Sequence, residues 1–390
     1  MRPPGPLQVG FAPRLAAFYA GLFVMGGIQL PFFPVWLKAK GLEPRMIGLV
    51  LAIPMIVRVF AIPLAAGTAD RHNALRAVLV VASWLTVVGY VAVGLVEGAT
   101  AILIAYALAS LALTPVMPLT ETYALKGLSA RGRAYGPVRL WGSVAFIAGS
   151  FVAGLAVDLT PARHLIWLIV AANVICAICA MALEPIASAH PTIKPAGMRE
   201  HLLHDPAFIA VLAAASLIQG SHAVYYGFSA LQWHGAGLDG TAIAGLWALG
   251  VLAEIVLFAL QGRLPPFLNP LSLMMLGAAG GAVRWAAMAF DPPAVLLPWL
   301  QLLHALSFGA THLGALGFVA RRAPPGQGAT AQGYLAIALG LVMAGATSLS
   351  GWLYGAFGGR AYAVMALAAI VGGACGHVAQ RAHRARVTRP

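Results

Sequence analysis

Of the 390 residues, 61% are hydrophobic and only 9% charged, for a mean hydropathy of +0.86. Soluble domains carry about 25% charged residues, so this composition excludes an ordinary soluble enzyme, a disordered chain, a coiled coil and a disulfide scaffold. At roughly 20 apolar residues per crossing the length allows about twelve membrane spans. The net charge of +13 is dispersed over short loops and one tail, without the basic stripe or stacking motif of a nucleic-acid binder, so no nucleic-acid partner is expected.

Met1 to Arg14 is short and Pro-rich, and the apolar run after it is too long for a signal-peptide core. It is predicted as the first of twelve spans, at about 14–37, 46–67, 75–96, 99–127, 134–158, 163–184, 207–233, 241–262, 268–290, 294–320, 331–356 and 359–379. Segments this long satisfy their backbone in lipid only as helices. Prolines 31, 34, 54, 63, 115 and 118 in spans one, two and four are expected to kink them. Cys176 and Cys179 form a C-x-x-C, and Cys375 stands apart. All three lie in apolar runs that suit packing, whereas a redox pair needs a water-accessible thiolate.

The stretch 185–206, with Pro185, Pro191, Lys194, Pro195, Arg199 and Glu200, is predicted as a central cytoplasmic loop. It separates an N-terminal six-helix bundle (1–184) from a C-terminal one (207–390) that ends in a basic cytoplasmic tail. The fold class is therefore an all-α membrane protein, with twelve transmembrane helices in two pseudo-symmetric bundles. Ile47-Gly48-Leu49 ahead of Arg58 aligns with Ala244-Gly245-Leu246 ahead of Glu254, as expected for parallel repeats. With the N-terminus inside, Lys38, Lys40, Arg45, Arg163 and Arg360 are the only loop cations left outside. The positive-inside rule then places both termini in the cytoplasm, and the short loops suit a bacterial inner membrane.

An ionisable side chain in mid-span costs about 2.5–3.5 kcal/mol on the insertion scale and is a functional candidate by default. Five stand out: Arg58, Glu121, Arg139, Glu254 and Arg284, joined by His222, His304 and His312. Glu121 and Arg139 fall at matching depths on successive spans and could pair, as a binding element or as a structural bridge. Arg139, Ser143, Phe146 and Ser150 share one helical face. So do Gln219, His222, Tyr226, Ser229 and Trp233, with Tyr225 beside them; this stripe could grip a ligand or tie helices together. Trp247, Glu254 and Gln261 recur at sevens. His304, Ser307 and Thr311 share a face flanked by Gln301 and His312. Desolvation favours a protonated carboxyl and a nearby guanidinium favours the carboxylate. Glu254 would therefore take a proton if Arg284 turned to a substrate anion, and a permanent Glu254–Arg284 bridge is the alternative. Three arginines against two glutamates favour an anionic substrate, although Arg58 could snorkel.

The runs Tyr135-Gly136-Pro137-Val138-Arg139-Leu140-Trp141-Gly142-Ser143 and Gln219-Gly220-Ser221-His222-Ala223-Val224-Tyr225-Tyr226, with Ala253-Glu254, Val283-Arg284-Trp285 and Leu303-His304, carry a resemblance. The chain resembles the major facilitator superfamily and, within it, the 3-phenylpropionate permease family, over most of its length. The superfamily loop between spans two and three is echoed by Gly67-Thr68-Ala69-Asp70-Arg71, with Asn73 in place of a glycine. More distantly the chain is similar to the lactose permease group. That similarity implies a substrate-binding glutamate and arginine at Glu121 and Arg139, a stacking aromatic at Phe146, and equivalents at Arg284 and His304. The proton-carrying glutamate of that group falls at Ser307, so a proton would need another carrier: Glu254, then His304 or His312.

The expected function is proton-coupled symport of a small aromatic carboxylate such as 3-phenylpropionate, by alternating access. Arg139, Arg284 or Arg58 would meet the carboxylate and Phe146, Tyr225 and Tyr226 the ring. Alternatives within the same fold are a sugar or nucleoside symporter and a drug efflux antiporter. A membrane-embedded enzyme is disfavoured, since H-E-x-x-H, G-x-S-x-G and nucleotide-loop motifs are missing from the sequence. The expected partners are a small-molecule substrate, protons and the bilayer, with the protein a monomer and no cofactor or metal.

Overall fold

The structure is a computed structural model and describes residues 10–186, 202–324 and 327–387. Most of the predicted central loop, including Pro191, Lys194, Pro195, Arg199 and Glu200, therefore lies outside the described residues, as do Arg2 and Arg389 of the two ends. The described chain is built of helices. They are α1 (Phe11–Ala39), α2 (Pro44–Arg71), α3 (Leu75–Leu95), α4 (Ala99–Leu113), α5 (Val116–Ser129), α6 (Tyr135–Leu159), α7 (Leu165–Met181) and α8 (Pro206–Gly220). After them come α9 (Ala223–Gly235), α10 (Gly240–Leu260), α11 (Pro270–Met288), α12 (Leu297–Leu302), α13 (Thr311–Arg322), α14 (Gly328–Phe357) and α15 (Tyr362–Val387).

Among the described residues eleven helical stretches are long and apolar enough to cross a bilayer, and the last, Thr330–Ala382, runs for 53 residues. A continuous helix of that length would measure about 80 Å, far beyond a hydrocarbon core of about 30 Å. The chain turns at Gly358, whose φ is +56°, and a 3-10 turn there separates α14 from α15. Counting twelve spans means counting this stretch as two. Large apolar side chains such as Phe60, Leu64, Val88 and Leu108 are exposed, which a lipid environment accommodates and water does not.

Three predicted spans are interrupted. Span four divides into α4 and α5 at Thr114–Pro115, since proline has no amide hydrogen to continue the ladder. Span seven divides into α8 and α9 at Ser221–His222, where the Ser221 hydroxyl donates to the Ile218 carbonyl at 2.6 Å. Span ten is α12 and α13 joined through a π turn at Ala305–Ala310. α1 instead runs unbroken through Pro31 and Pro34.

Two compact units emerge. Unit 1 is Met1–Leu42, Val57–Pro191 and Gly237–Ala244, and unit 2 is Glu43–Ile56, Thr192–Ala236 and Gly245–Pro390. α2 and α10, the helices equated by the internal alignment, each divide between the units. Small residues set the packing inside each unit, as membrane helices require. In unit 1, α1 lies against α6 closely enough for the Ser150 hydroxyl to reach the Gly27 carbonyl at 3.0 Å. A Cβ on Gly27 would collide with the α6 backbone. In unit 2, Phe208, Val211, Met274, Phe318, Val319 and Leu335 form a buried core. Cys176, Cys179 and Cys375 remain free thiols.

Candidate functional site

Each unit holds a polar cluster within its helices. In unit 1, α5 supplies Glu121 and α6 supplies Tyr135 and Arg139. The Arg139 Nε lies 3.5 Å from Glu121 Oε1, and both side chains are about 30% exposed. Tyr135 donates a short hydrogen bond to the other carboxylate oxygen. Tyr135 and Arg139 stand four residues apart on α6, so both point from one face. The guanidinium carbon sits 4.1 Å from the Phe23 ring centre and 5.6 Å from that of Tyr19. The carboxylate thus has two donors and the cation two aromatic faces. Ser143 and Phe146 follow on the same helix, both half-buried, and Phe146 faces Gly26 of α1.

In unit 2, Arg284 of α11 is wholly buried. Its Nη2 donates to Gln301 Oε1 at 2.5 Å, and Nη1 reaches His304 Nδ1 at 3.0 Å and the Ser307 hydroxyl at 3.4 Å. The Tyr225 and Trp285 rings each lie 4.5 Å from the guanidinium carbon. A guanidinium only donates, so His304 Nδ1 accepts and its proton sits on Nε2. That nitrogen lies 3.7 Å from Glu254 Oε2. His222 Nδ1 meets the carbonyls of Gln219 and Ile218 at 3.1 and 3.2 Å and therefore carries its hydrogen. Its Nε2 then accepts from Ser307, 3.1 Å away, and the Ser307 oxygen is free to accept from Arg284.

The two residues singled out from sequence are thus connected by a relay, Arg284 to His304 to Glu254. The imidazole fits between them because α12–α13 passes close to both α10 and α11. His304 and Ser307, three residues apart at the entry to the π turn, both face Arg284. His312 lies further along, stacked on Phe308, which itself stacks on His304 at 5.3 Å.

Aromatic rings complete this cluster. Tyr225 and Trp247 stack at 4.6 Å, and Tyr226 lies 5.9 Å from Trp247. Trp285 donates to Ser221 at 2.9 Å, tying α11 to the break between α8 and α9. Arg284 Nε, Gln301 Nε2 and Trp247 Nε1 are buried without a hydrogen-bond partner. All three are donors, and the bond from Arg284 to Gln301 Oε1 fixes which end of the amide donates.

The structure thus gathers Glu121 with Arg139, and separately His222, Tyr225, Tyr226, Glu254, Arg284 and His304. Arg58 joins neither cluster and is exposed. Gln301, Trp247 and Trp285 go beyond the residues singled out as binding candidates. The adjacency of Trp285 to Arg284 and the sevenfold spacing of Trp247 from Glu254 were the available signals. Tyr135 could have been found from its i, i+4 relation to Arg139. Among the described residues no group of three or more His, Cys, Asp or Glu side chains could hold a metal.

The family model described as "MFS_1 like family" matches residues 13–364. The chain belongs to this family of the major facilitator superfamily. Like its relatives, this MFS protein is a multi-pass membrane transporter and not an enzyme. It is 34% identical over 368 residues to a "probable 3-phenylpropionic acid transporter" of Escherichia coli (strain K12), covering 91% of this chain and 94% of that one. It is 27% identical to a maltose permease of Geobacillus stearothermophilus, covering 91% of both. Among solved structures, the nucleoside transporter NupG superposes with a TM-score of 0.81 at 18% identity, covering 95% of this chain and 99% of that one. A bacterial homologue of the human lysosomal transporter Spinster gives 0.73 at 14%, covering 95% and 96%. These two similarities establish the fold.

Proposed function

We propose that this MFS transporter carries a small aromatic carboxylate such as 3-phenylpropionate together with a proton, by alternating access in a bacterial inner membrane, as a monomer with both termini in the cytoplasm. One observation carries the reading. A wholly buried arginine is held by Gln301, His304 and Ser307, and the unpartnered atoms around it include the donors Arg284 Nε, Gln301 Nε2 and Trp247 Nε1, framed by aromatic rings. A carboxylate accepts only, and a buried guanidinium favours it through charge-assisted hydrogen bonds. Tyr225, Tyr226, Trp247 and Trp285 offer faces to an aryl ring. The similarity to a probable 3-phenylpropionic acid transporter supports the same cargo. Arg139, Glu121, Ser143 and Phe146 of unit 1 are proposed as further substrate contacts, and Arg58 as a more remote one.

The relay supplies the coupling. A proton on His304 Nδ1 would point at the Arg284 guanidinium, so the imidazole stays neutral while that contact holds. When substrate carboxylate engages Arg284, His304 is released to hold a proton and pass it to or from Glu254. Glu254 is the proposed proton carrier, with His304 and His312 next.

Uptake of labelled 3-phenylpropionate into proteoliposomes, with and without an inward proton gradient, tests both parts. Gradient-dependent accumulation that disappears in Glu254→Gln, with substrate exchange retained, is expected. No movement of the acid under any gradient overturns the cargo, and undiminished accumulation in Glu254→Gln overturns the carrier. A second reading, a sugar or nucleoside symporter, is favoured by the Glu121–Arg139 pair, which offers both an acceptor and a donor to hydroxyl groups, and by the similarity to a maltose permease. Maltose and uridine in the same assay discriminate it.

A further inference from the structure

The last turns of α9 carry Ser229, Gln232 and Trp233 on the face of Tyr225. In unit 2 this helix packs against α14 and α15. Four side-chain atoms here are buried without a hydrogen-bond partner among the described residues: Ser229 Oγ, Gln232 Oε1, Trp233 Nε1 and the Tyr362 hydroxyl. Buried hydroxyls such as those of Ser83, Thr86 and Ser110 donate back to their own helix, at 2.8, 2.8 and 2.7 Å. Ser229 does not. Tyr362, at the start of α15, stacks on Trp285 at 5.7 Å. It is near enough to Arg284, Tyr225, Tyr354 and Asp291 to interact electrostatically with each. Asp291 stands exposed after α11, and Gln232 Nε2 donates to its Oδ1 at 2.6 Å. The group thus reaches from an exposed carboxylate to the buried Arg284.

We propose that ordered waters bind around these four atoms and form the proton path between Asp291 and the Arg284–His304 relay. The mixture of atoms selects water. Trp233 Nε1 only donates, Gln232 Oε1 only accepts, and the two hydroxyls do both. A bound carboxylate would leave Gln232 Oε1 bare and a bound cation would leave Trp233 Nε1 bare. Water serves all four, and buried polar atoms are costly to leave unbonded. The proton role rests on the coupling proposed above. In the proposed orientation this end faces outside, where an inward gradient supplies protons. A proton collected at Asp291 passes along the waters and the Tyr362 hydroxyl, each carrier accepting one proton and releasing one. Arg284 closes the inner end, because a guanidinium repels an approaching proton. Substrate carboxylate neutralises that charge, and the proton then reaches His304 Nδ1, the nitrogen that Arg284 has vacated. The path conducts only with cargo bound.

The test is hydroxyl-radical footprinting of the full chain in lipid nanodiscs, by brief X-ray exposure and mass spectrometry. Radicals formed from a bound water modify the side chain beside it even where bulk solvent does not reach. Tyr362 and Trp233 are expected to react several-fold faster than Trp36 and Tyr123. Those two are comparably buried but bonded to the carbonyls of Arg163 and Glu184. Equal rates overturn the waters and the path with them, and this arm needs no variant to fold. Tyr362→Phe removes one hydroxyl and keeps the ring. It is expected to slow gradient-driven uptake of 3-phenylpropionate about tenfold, the weight of one hydrogen bond, with exchange in the absence of a gradient unchanged. Tyr90→Phe, which removes a buried hydroxyl of unit 1, should alter neither. Slowing of both uptake and exchange in Tyr362→Phe, or of neither, overturns the proton role. Unaltered protein without gradient dependence fails at the coupling itself and takes the proton role with it, while the footprinting still decides the waters.

Discussion

The two polar clusters solve the problem of a charge inside a membrane in opposite ways. In unit 1, Arg139 faces a carboxylate from the same bundle, and the pair is about 30% exposed on each side, so its charge is neutralised locally and partly solvated. In unit 2, Arg284 is wholly buried and surrounded by an amide, a hydroxyl, an imidazole and two rings, with donors to spare. A neutralised pair can stand unoccupied at little cost, whereas a cation among neutral groups gains from an anion that arrives. Buried ion pairs are expensive to break, so the design of unit 2, with the carboxylate one imidazole away, leaves the cation available without leaving it unsupported.

The largest effect should come from the cation itself. Arg284→Gln is expected to reduce 3-phenylpropionate uptake at least about a hundredfold, the weight of charge-assisted hydrogen bonds, while Arg139→Gln costs clearly less. Equal losses in proteoliposome uptake would erase the distinction between the clusters. Next, Glu254→Gln should abolish gradient-driven accumulation and spare exchange, whereas Glu121→Gln should leave the gradient dependence intact. Isotope counterflow separates the two. Gln301→Leu removes the amide that orients Arg284 and should raise the KM about tenfold, with the proton dependence retained. A double-mutant cycle of Glu121→Gln and Arg139→Gln followed by thermal unfolding should show a coupling of only about 0–1 kcal/mol, as a half-exposed pair implies. A larger value would mark it as a structural bridge.

The smallest effect lies outside both clusters. Asp239, at the start of α10, accepts from the Ala242 amide at 2.6 Å and from the Thr241 hydroxyl at 3.0 Å. These bonds hold its carboxyl below the usual range. A carboxyl so lowered contributes its stabilisation above the ordinary range and loses it as pH falls through the lowered value. Asp239→Ala should therefore lower the Tm slightly at neutral pH, and the difference should narrow below about pH 4.

Much of the fold was legible because hydropathy reports directly on the bilayer. The apolar runs fall on the helical stretches, and the Glu121–Arg139 pair follows from equal depth on neighbouring spans. Interruptions were less legible. Ser221–His222 and Ala305–Ala310 carry no proline, and their breaks depend on hydrogen bonds made across the bundle. The relay through His304 was only partly legible: periodicity put His304, Ser307 and Thr311 on one face, but the imidazole's place between Arg284 and Glu254 depends on how three helices pack. Arg58 shows the converse, since position within an apolar run says nothing of whether a side chain turns toward its own bundle.

The π turn between α12 and α13 has a further consequence for chain length. Such a turn holds one residue more than the α-helical path through the same space. Removing a single residue after Ser307, between Phe308 and Ala310, would let the segment close into a regular helix through the same space, so the residues beyond it would keep their faces and the span its length. The membrane would accept the shorter chain. His304 and Ser307, three residues apart, would still share one face, so a lone codon deletion here would preserve the fold and change only how closely the two reach Arg284.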